Sequence, residues 1–341
     1  MTGRQLPAPS MEIQPKPILK RTSGYTIDSF PKGLNTVLTP QTSGFWGKLT
    51  DCPANPDFTT TDIPQIWTAD PWIGCLWGLS CRFCYVPSVG TRLYDGGHSS
   101  YWYQEWGNWL IYKPDFTSRL RKQLLNGAGL TRPLYRGAAV YMSPKTDPLL
   151  PIKQALAITA RNLDVFLDAE CFLMIQTRSK AVERQNDPAI FNRIVELTKR
   201  KKVGVSFSIS TDLLDEQRRI ESGGLAPAER LRIMARLKSA GVFVSAAVAP
   251  LMPYSPDFAR KLVDSCHHAS IQVLHLTGSG AATPKDVLNQ THREIPHYRE
   301  LDRKLADEIE AVPGAEQFSW GINNKGFIGA FLAARRFYEA V

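Results

Sequence analysis

Through the middle of this chain apolar residues come in short, nearly unbroken runs, at 68–74, 138–143, 172–177, 203–209, 242–249 and 271–277. Runs of this kind, rather than alternating apolar and polar positions, are what strands show when both faces of a sheet are covered, as in parallel sheets. The stretches between them carry helical spacing. Residues 116–126 form one such stretch. Asp147-Pro148 and Asp187-Pro188 each pair an N-cap residue with a proline suited to a first helical turn. They predict helices over 147–166 and from 187 to the basic run 199–202, where cations suit a helix C-terminus. A helix over 226–240 ends at Gly241, and Ser255-Pro256 opens another. Six strands alternating with helices satisfy either a doubly wound sheet or a barrel. No G-x-G-x-x-G follows the first strand, so a dinucleotide fold is disfavoured and a partial (β/α)6 barrel is expected, with its chemistry on the loops after the C-terminal strand ends.

Residues 1–45 are rich in Pro, Thr, Ser and Lys without a sustained period. They predict an irregular N-terminal arm, placed at 1–67, before a barrel at 68–284 and a C-terminal extension at 285–341. The chain has 341 residues with 43% hydrophobic content, enough to bury a core, and this excludes a disordered or collagen-like polymer. No run of about 18 apolar residues offers a membrane span. The N-terminus lacks the apolar h-region of a signal peptide, so a cytoplasmic protein is expected. Lys and Arg number 41 against 32 Asp and Glu, net +9, which favours anionic partners such as nucleic acid.

Of six cysteines, three cluster as Cys75, Cys81 and Cys84, a C-x5-C-x2-C loop directly after the first predicted strand. Three soft thiolates on one loop suit zinc or three irons of a four-iron cluster. A structural zinc site wants a fourth ligand, and the next candidates, His98 and Cys52, stand in no recognisable half-site. An open fourth position suits a cluster that binds something at its unique iron. Cys52, Cys171 and Cys266 read as buried packing cysteines.

A first strand followed by a three-cysteine loop, with Phe83 before the last cysteine, resembles the radical S-adenosylmethionine (SAM) superfamily, although the loop here is two residues longer than the usual C-x3-C-x2-C. Over residues 68–277 the chain resembles the spore photoproduct lyase-like branch. The matching pieces are Gly74-Cys75, Cys84-Tyr85, YMSPKTDPLLPIKQALAITARNL (141–163), IQTRS (175–179), SFSIST (206–211), IESGGLAPAERLRIMARLKSAGV (220–242) and VAPLMP (248–253), in the family's order. The resemblance implies a [4Fe-4S] cluster on Cys75, Cys81 and Cys84, with SAM chelated at the open iron and cleaved to a 5′-deoxyadenosyl radical that abstracts hydrogen from substrate. It places Thr146 and Asp147 at the cofactor's amino acid moiety, Arg178 at its carboxylate, Ser208 at a polar contact and Pro250 beside its adenine. Tyr85 matches a radical-relay tyrosine. An electron donor such as flavodoxin or ferredoxin is implied. The hydrogen-donating cysteine of spore photoproduct lyase would fall near Pro144, where there is no thiol, so the substrate is not carried over.

Each residue also has a plainer reading. Asp147 can serve only as an N-cap, Arg178 can pair with an acid such as Glu183, Ser208 can satisfy local backbone, and Tyr85 can simply pack on the loop. Glu221 and Arg230 can form a surface or loop-fixing pair. The aromatic stretch 99–116 can stack on exposed bases or form a lid over the cluster. His267, His268 and His275 lack a recognisable ligand shell. Two other functions stay open: a radical SAM enzyme acting on a small molecule or peptide, and a zinc-stapled nucleic-acid-binding protein without catalysis.

Overall fold

The structure, a computed structural model, describes residues 38–40, 66–75, 81, 83–84, 109–113, 115–142, 146–221, 223–272, 295–322 and 324–340. Strands β1 (Leu38–Pro40), β2 (Ile66–Ala69), β5 (Ala139–Met142), β6 (Phe172–Thr177), β7 (Val203–Ser208), β8 (Phe243–Val248), β9 (His268–Ile271) and β10 (Ser319–Ile322) form one sheet in that order. β1 lies antiparallel on β2, and every other neighbouring pair is parallel. The edges β1 and β10 do not meet, so the sheet is that of an open, partial (β/α) barrel. β3 (Trp72–Cys75) and β4 (Trp109–Tyr112) make a separate antiparallel pair. Helices α1 (Phe116–Leu124), α2 (Lys153–Asp168), α3 (Pro188–Lys199), α4 (Leu214–Ile220), α5 (Pro227–Ser239), α6 (Phe258–Ser265) and α7 (Ile295–Glu310) follow the strands in turn, and α8 (Asn324–Ala340) closes the chain. Among the described residues no helix is long and apolar enough to cross a membrane.

Four of the six predicted strands stand where expected, while the first, the last and one helix differ. The run at 68–74 is two strands, because Pro71 offers no N–H to a ladder; the chain leaves the main sheet after Ala69 and enters β3, where Gly74 adopts φ 91°. The helix expected at Asp147-Pro148 begins at Lys153, whereas Asp187-Pro188 behaves as expected, with Asp187 Oδ1 accepting from Ile190 N at 3.0 Å. The sixth strand is 268–271 rather than 271–277, its position fixed by pairing with β8; residues 273–277 lie outside the described residues. The segment expected as a C-terminal extension supplies a seventh parallel strand, β10.

Period-two alternation gives each strand two faces. Leu173 and Ile175, Val203, Val205 and Phe207, and Val244, Ala246 and Val248 turn outward into one core with α1 to α7. The opposite, inner face is covered at its N-terminal end by α8, whose Ile328, Phe331, Leu332 and Tyr338 pack on Ile66, Tyr141, Met174 and Phe243. The helix lies very close there. A Cβ on Gly329 would sit 2.9 Å from His268 Cε1, a position only glycine can hold without a shift. Tyr338 reaches the strand ends, donating to Val203 O at 2.8 Å and accepting from Phe243 N at 3.3 Å.

Candidate functional site

Toward the C-terminal strand ends the same inner face turns polar. The register sets Gln176, Ser206, Ser245, His268 and Ser319 side by side across five strands, with Ser208, Ala247 and Ser270 one row higher. Gln176 Nε2 donates to Ser208 Oγ at 3.3 Å, and His268 Nδ1 lies 2.7 Å from Ser319 Oγ. Ser245 is fully buried, yet its hydroxyl has no hydrogen-bond partner among the described residues; the same holds for the Oγ of Ser270 and Thr146. Buried hydroxyls usually find a partner, so these three are candidate contacts for a ligand. The strand letters VGVSFS, FVSAAV and HASI held this signal as a small polar residue at alternate positions.

The cysteine loop sits at this rim. Cys75 ends β3, backbone-paired with Trp109, so the aromatic stretch contributes the strand that backs the first cysteine. Cys81 and Glu221 form an isolated antiparallel backbone bridge, and Cys84 N donates to Cys81 O at 3.0 Å, a tight turn joining the last two cysteines. Cys75 and Cys81 are buried and Cys84 half-buried. Among the described residues no three His, Cys, Asp or Glu side chains converge as a metal site.

Arg178, the residue after β6, ties the loop to the barrel. Its Nη1 donates to Cys81 Sγ at 2.7 Å and to Glu221 Oε1 at 2.9 Å. Burial opposes its charge, but Cys81 first and then Glu221, Asp147 and Cys75 outweigh it, holding the guanidinium above its ordinary range. Cys81 is thus in direct contact with this cation. Glu221 is 2% exposed and is shared with Arg230, which is 1% exposed and donates through both terminal nitrogens to the carboxylate. Burial would push the Glu221 carboxyl up, but Arg178 and Arg230 together hold it below the usual carboxylate range. Arg230 also donates to Ser208 O and Leu225 O, each at 2.9 Å, so the pair fixes the loop after α4 to the end of β7. The loop-fixing reading of Glu221 and Arg230 holds, and the surface reading does not. Nor does Arg178 pair with Glu183, whose oxygens take Arg232 at 3.0 Å and Arg236 at 3.2 Å.

Asp147 caps no helix. Its oxygens accept from Leu149 N, Thr177 Oγ1 and Arg178 N at 2.8, 2.7 and 3.0 Å, bolting the loop after β5 to the end of β6. Burial pushes its carboxyl up despite these bonds. Thr146 lies beside it, Ser208 ends β7, and Pro250 is buried just past β8. Thr146, Asp147, Arg178, Ser208 and Pro250 thus all stand at the C-terminal ends of β5 to β8. Tyr85, Cys52, His275 and residues 143–145 lie outside the described residues. Cys171 and Cys266 are buried, which pushes both thiols up to about 12 and keeps them unreactive.

No family model matches the chain. Uncharacterised proteins of Mycobacterium tuberculosis and Mycobacterium bovis are 23% identical to it over 252 residues, 71% of this chain and 68% of theirs. Among solved structures, spore photoproduct lyase complexed with a dinucleoside spore photoproduct is 12% identical, covers 79% of each chain and has a TM-score of 0.48. A variant of that lyase with bound AdoMet and the same dinucleoside has a TM-score of 0.47 at 13% identity, covering 81% of this chain and 79% of that one. SuiB of Streptococcus suis bound to S-adenosylmethionine is 13% identical, with a TM-score of 0.36 over 54% of this chain and 39% of that one. The chain is similar to spore photoproduct lyase and to SuiB.

Proposed function

We propose that this chain is a radical SAM enzyme of the spore photoproduct lyase-like branch, with Cys75, Cys81 and Cys84 as ligands to a [4Fe-4S] cluster. The observation that carries the reading is a three-cysteine loop held on the C-terminal rim of a partial barrel with a guanidinium against the Cys81 sulfur. The donor set fits the group: three soft sulfurs within ten residues, and a buried cation to offset thiolate charge. The bridge of Cys81 to Glu221 and the turn to Cys84 fix two of the three positions. Cys75, Cys81 and Cys84 would hold three of the cluster's irons and leave the fourth open.

When bound, the cluster supplies the electron that cleaves the sulfonium of SAM, giving the 5′-deoxyadenosyl radical for hydrogen abstraction. The chain's own part is binding and exclusion of water. Thr146, whose buried hydroxyl has no partner among the described residues, is a contact for the cofactor's polar end. Asp147 acts by holding the backbone of Arg178 in place. Ser208 and Pro250 line the path along β7 and β8, and Tyr85 is proposed as the relay next to the last cysteine. The net charge of +9 supports an anionic substrate, nucleic acid among the candidates, and a small acidic ferredoxin or flavodoxin as electron donor. No cysteine stands between Met142 and Thr146, so a hydrogen-returning step of the lyase kind would need a donor elsewhere.

The test is anaerobic reconstitution with iron and sulfide, addition of reductant and SAM, and chromatography for 5′-deoxyadenosine. Wild type is expected to form it. Cys84→Ala is expected to lose the cluster and all product while keeping its helical circular dichroism. Zinc in place of iron, or product formation by Cys84→Ala, overturns the reading.

A further inference from the structure

The resemblance assigns Arg178 to the cofactor's carboxylate, and its geometry adds a second partner. Its Nη1 already faces two acceptors, Cys81 Sγ at 2.7 Å and Glu221 Oε1 at 2.9 Å. It is held there from two sides. The carboxylate of Asp147 grips its backbone N–H, and the Glu221 carboxylate grips its guanidinium. Glu221 is itself fixed by Arg230 and by its backbone bridge to Cys81. The side chain of Arg178 is only 16% exposed. A guanidinium held in this way keeps Nη1 on the sulfur.

We propose that Arg178 is an N–H···S donor to the cluster through Cys81 and sets the reduction potential of the cluster, with Glu221 as the positioning residue that aims it. This rests on the reading of Cys75, Cys81 and Cys84 as cluster ligands. The physical reason is direct. Reduction adds negative charge to the cluster and its sulfurs, and a buried cation donating to a ligand sulfur stabilises the reduced form more than the oxidised one. The Arg178 guanidinium is the charged group in contact with the sulfur, while the Glu221 and Asp147 carboxylates take its Nη1 and its backbone N–H. Placing such a charge at the ligand loop makes an inherently low-potential centre easier to reduce.

The experiment is a redox titration, followed by electron paramagnetic resonance, of reconstituted full-length wild type, Arg178→Lys and Arg178→Gln in the absence of SAM. Gln keeps a donor without the charge, and Lys keeps the charge without the fork. The midpoint potential is expected to fall in Arg178→Gln and to fall less in Arg178→Lys, with iron and sulfide content unchanged. A role confined to the cofactor's carboxylate predicts unmoved potentials and weaker SAM binding only, and that result overturns the proposal. Where a variant fails to hold its cluster, the wild-type protein decides. An exchangeable proton coupled to the reduced cluster by electron–nuclear double resonance, lost in deuterated buffer, supports the donor; no such coupling overturns it. Absence of iron from the wild type itself is the separate failure of the cluster reading.

Discussion

The inner face of the sheet is two regions built from the same strands. Near the N-terminal strand ends it presents Ile66, Tyr141, Met174 and Phe243, sealed by α8 with Phe331 and Tyr338. One pleat further along, it presents Gln176, Ser206, Ser245 and His268. In the lower region the Tyr338 hydroxyl both donates to Val203 O and accepts from Phe243 N. The upper region leaves the hydroxyls of Ser245, Ser270 and Thr146 without partners among the described residues, beside a loop of three cysteines. On the proposed reading, the lower half serves stability and the upper half serves chemistry. Barrels divide in the same sense, with function on the C-terminal face and conservation of packing on the other.

That contrast can be broken from below first. Phe331→Ala removes a ring that is 2% exposed and lies 6.0 Å from Phe172, centroid to centroid. A loss of about 3–5 kcal/mol is expected in urea denaturation. The cluster's potential should stay unchanged, and a shifted potential would show that the two halves are coupled.

A smaller effect is expected from acid. His267 packs between Phe243 and Phe337 beneath the sheet, and Val244 N donates to its Nδ1 at 3.1 Å, a bond that the neutral ring accepts. Burial, with Lys238 adding to it, pushes the imidazole down to about 4. The unfolded chain binds this proton nearer pH 6.5, so the contribution is complete above 6.5 and is lost as pH falls from there toward 4. Because the ring is partly exposed, the loss is about 2 kcal/mol. Urea midpoints across that range should fall in wild type and fall less in His267→Gln.

The smallest effect has the opposite sign. Ser245→Ala deletes a buried, unsatisfied hydroxyl and should raise stability by about 1 kcal/mol. It should also weaken whatever the upper region binds, read as a higher KM in the 5′-deoxyadenosine assay. A destabilised variant would mean that the hydroxyl is satisfied after all and that the polar row is ordinary structure.

Asp147 and Asp187 show how far local reading goes. Both precede proline, and the two dipeptides read alike. Asp187 has only its own helix to serve and caps it. Asp147 stands beside β6, where Thr177 and Arg178 outbid the next turn for its oxygens, and the helix starts five residues later than expected. Cys75 shows the same limit, because its strand partner Trp109 lies 34 residues further on and no local pattern names it. Glu221 and Arg230 were legible as a pair, nine residues apart, but not as buried, since burial comes from the cysteine loop and β7 closing over them.

Taken alone, the sequence determined what is local and repetitive. The apolar runs made strands because backbone polar groups buried with them must pair in a ladder, and the runs between them made helices because their apolar faces needed that sheet. It also determined that three cysteines share one loop. Tertiary structure decided the rest. It placed Arg178 against the Cys81 sulfur, split the inner face between an apolar plug and a polar rim, and carried the last strand into the sheet. Those outcomes rest on contacts between residues far apart in sequence, where the energy of burying a charge or a hydroxyl depends on neighbours that only folding assembles.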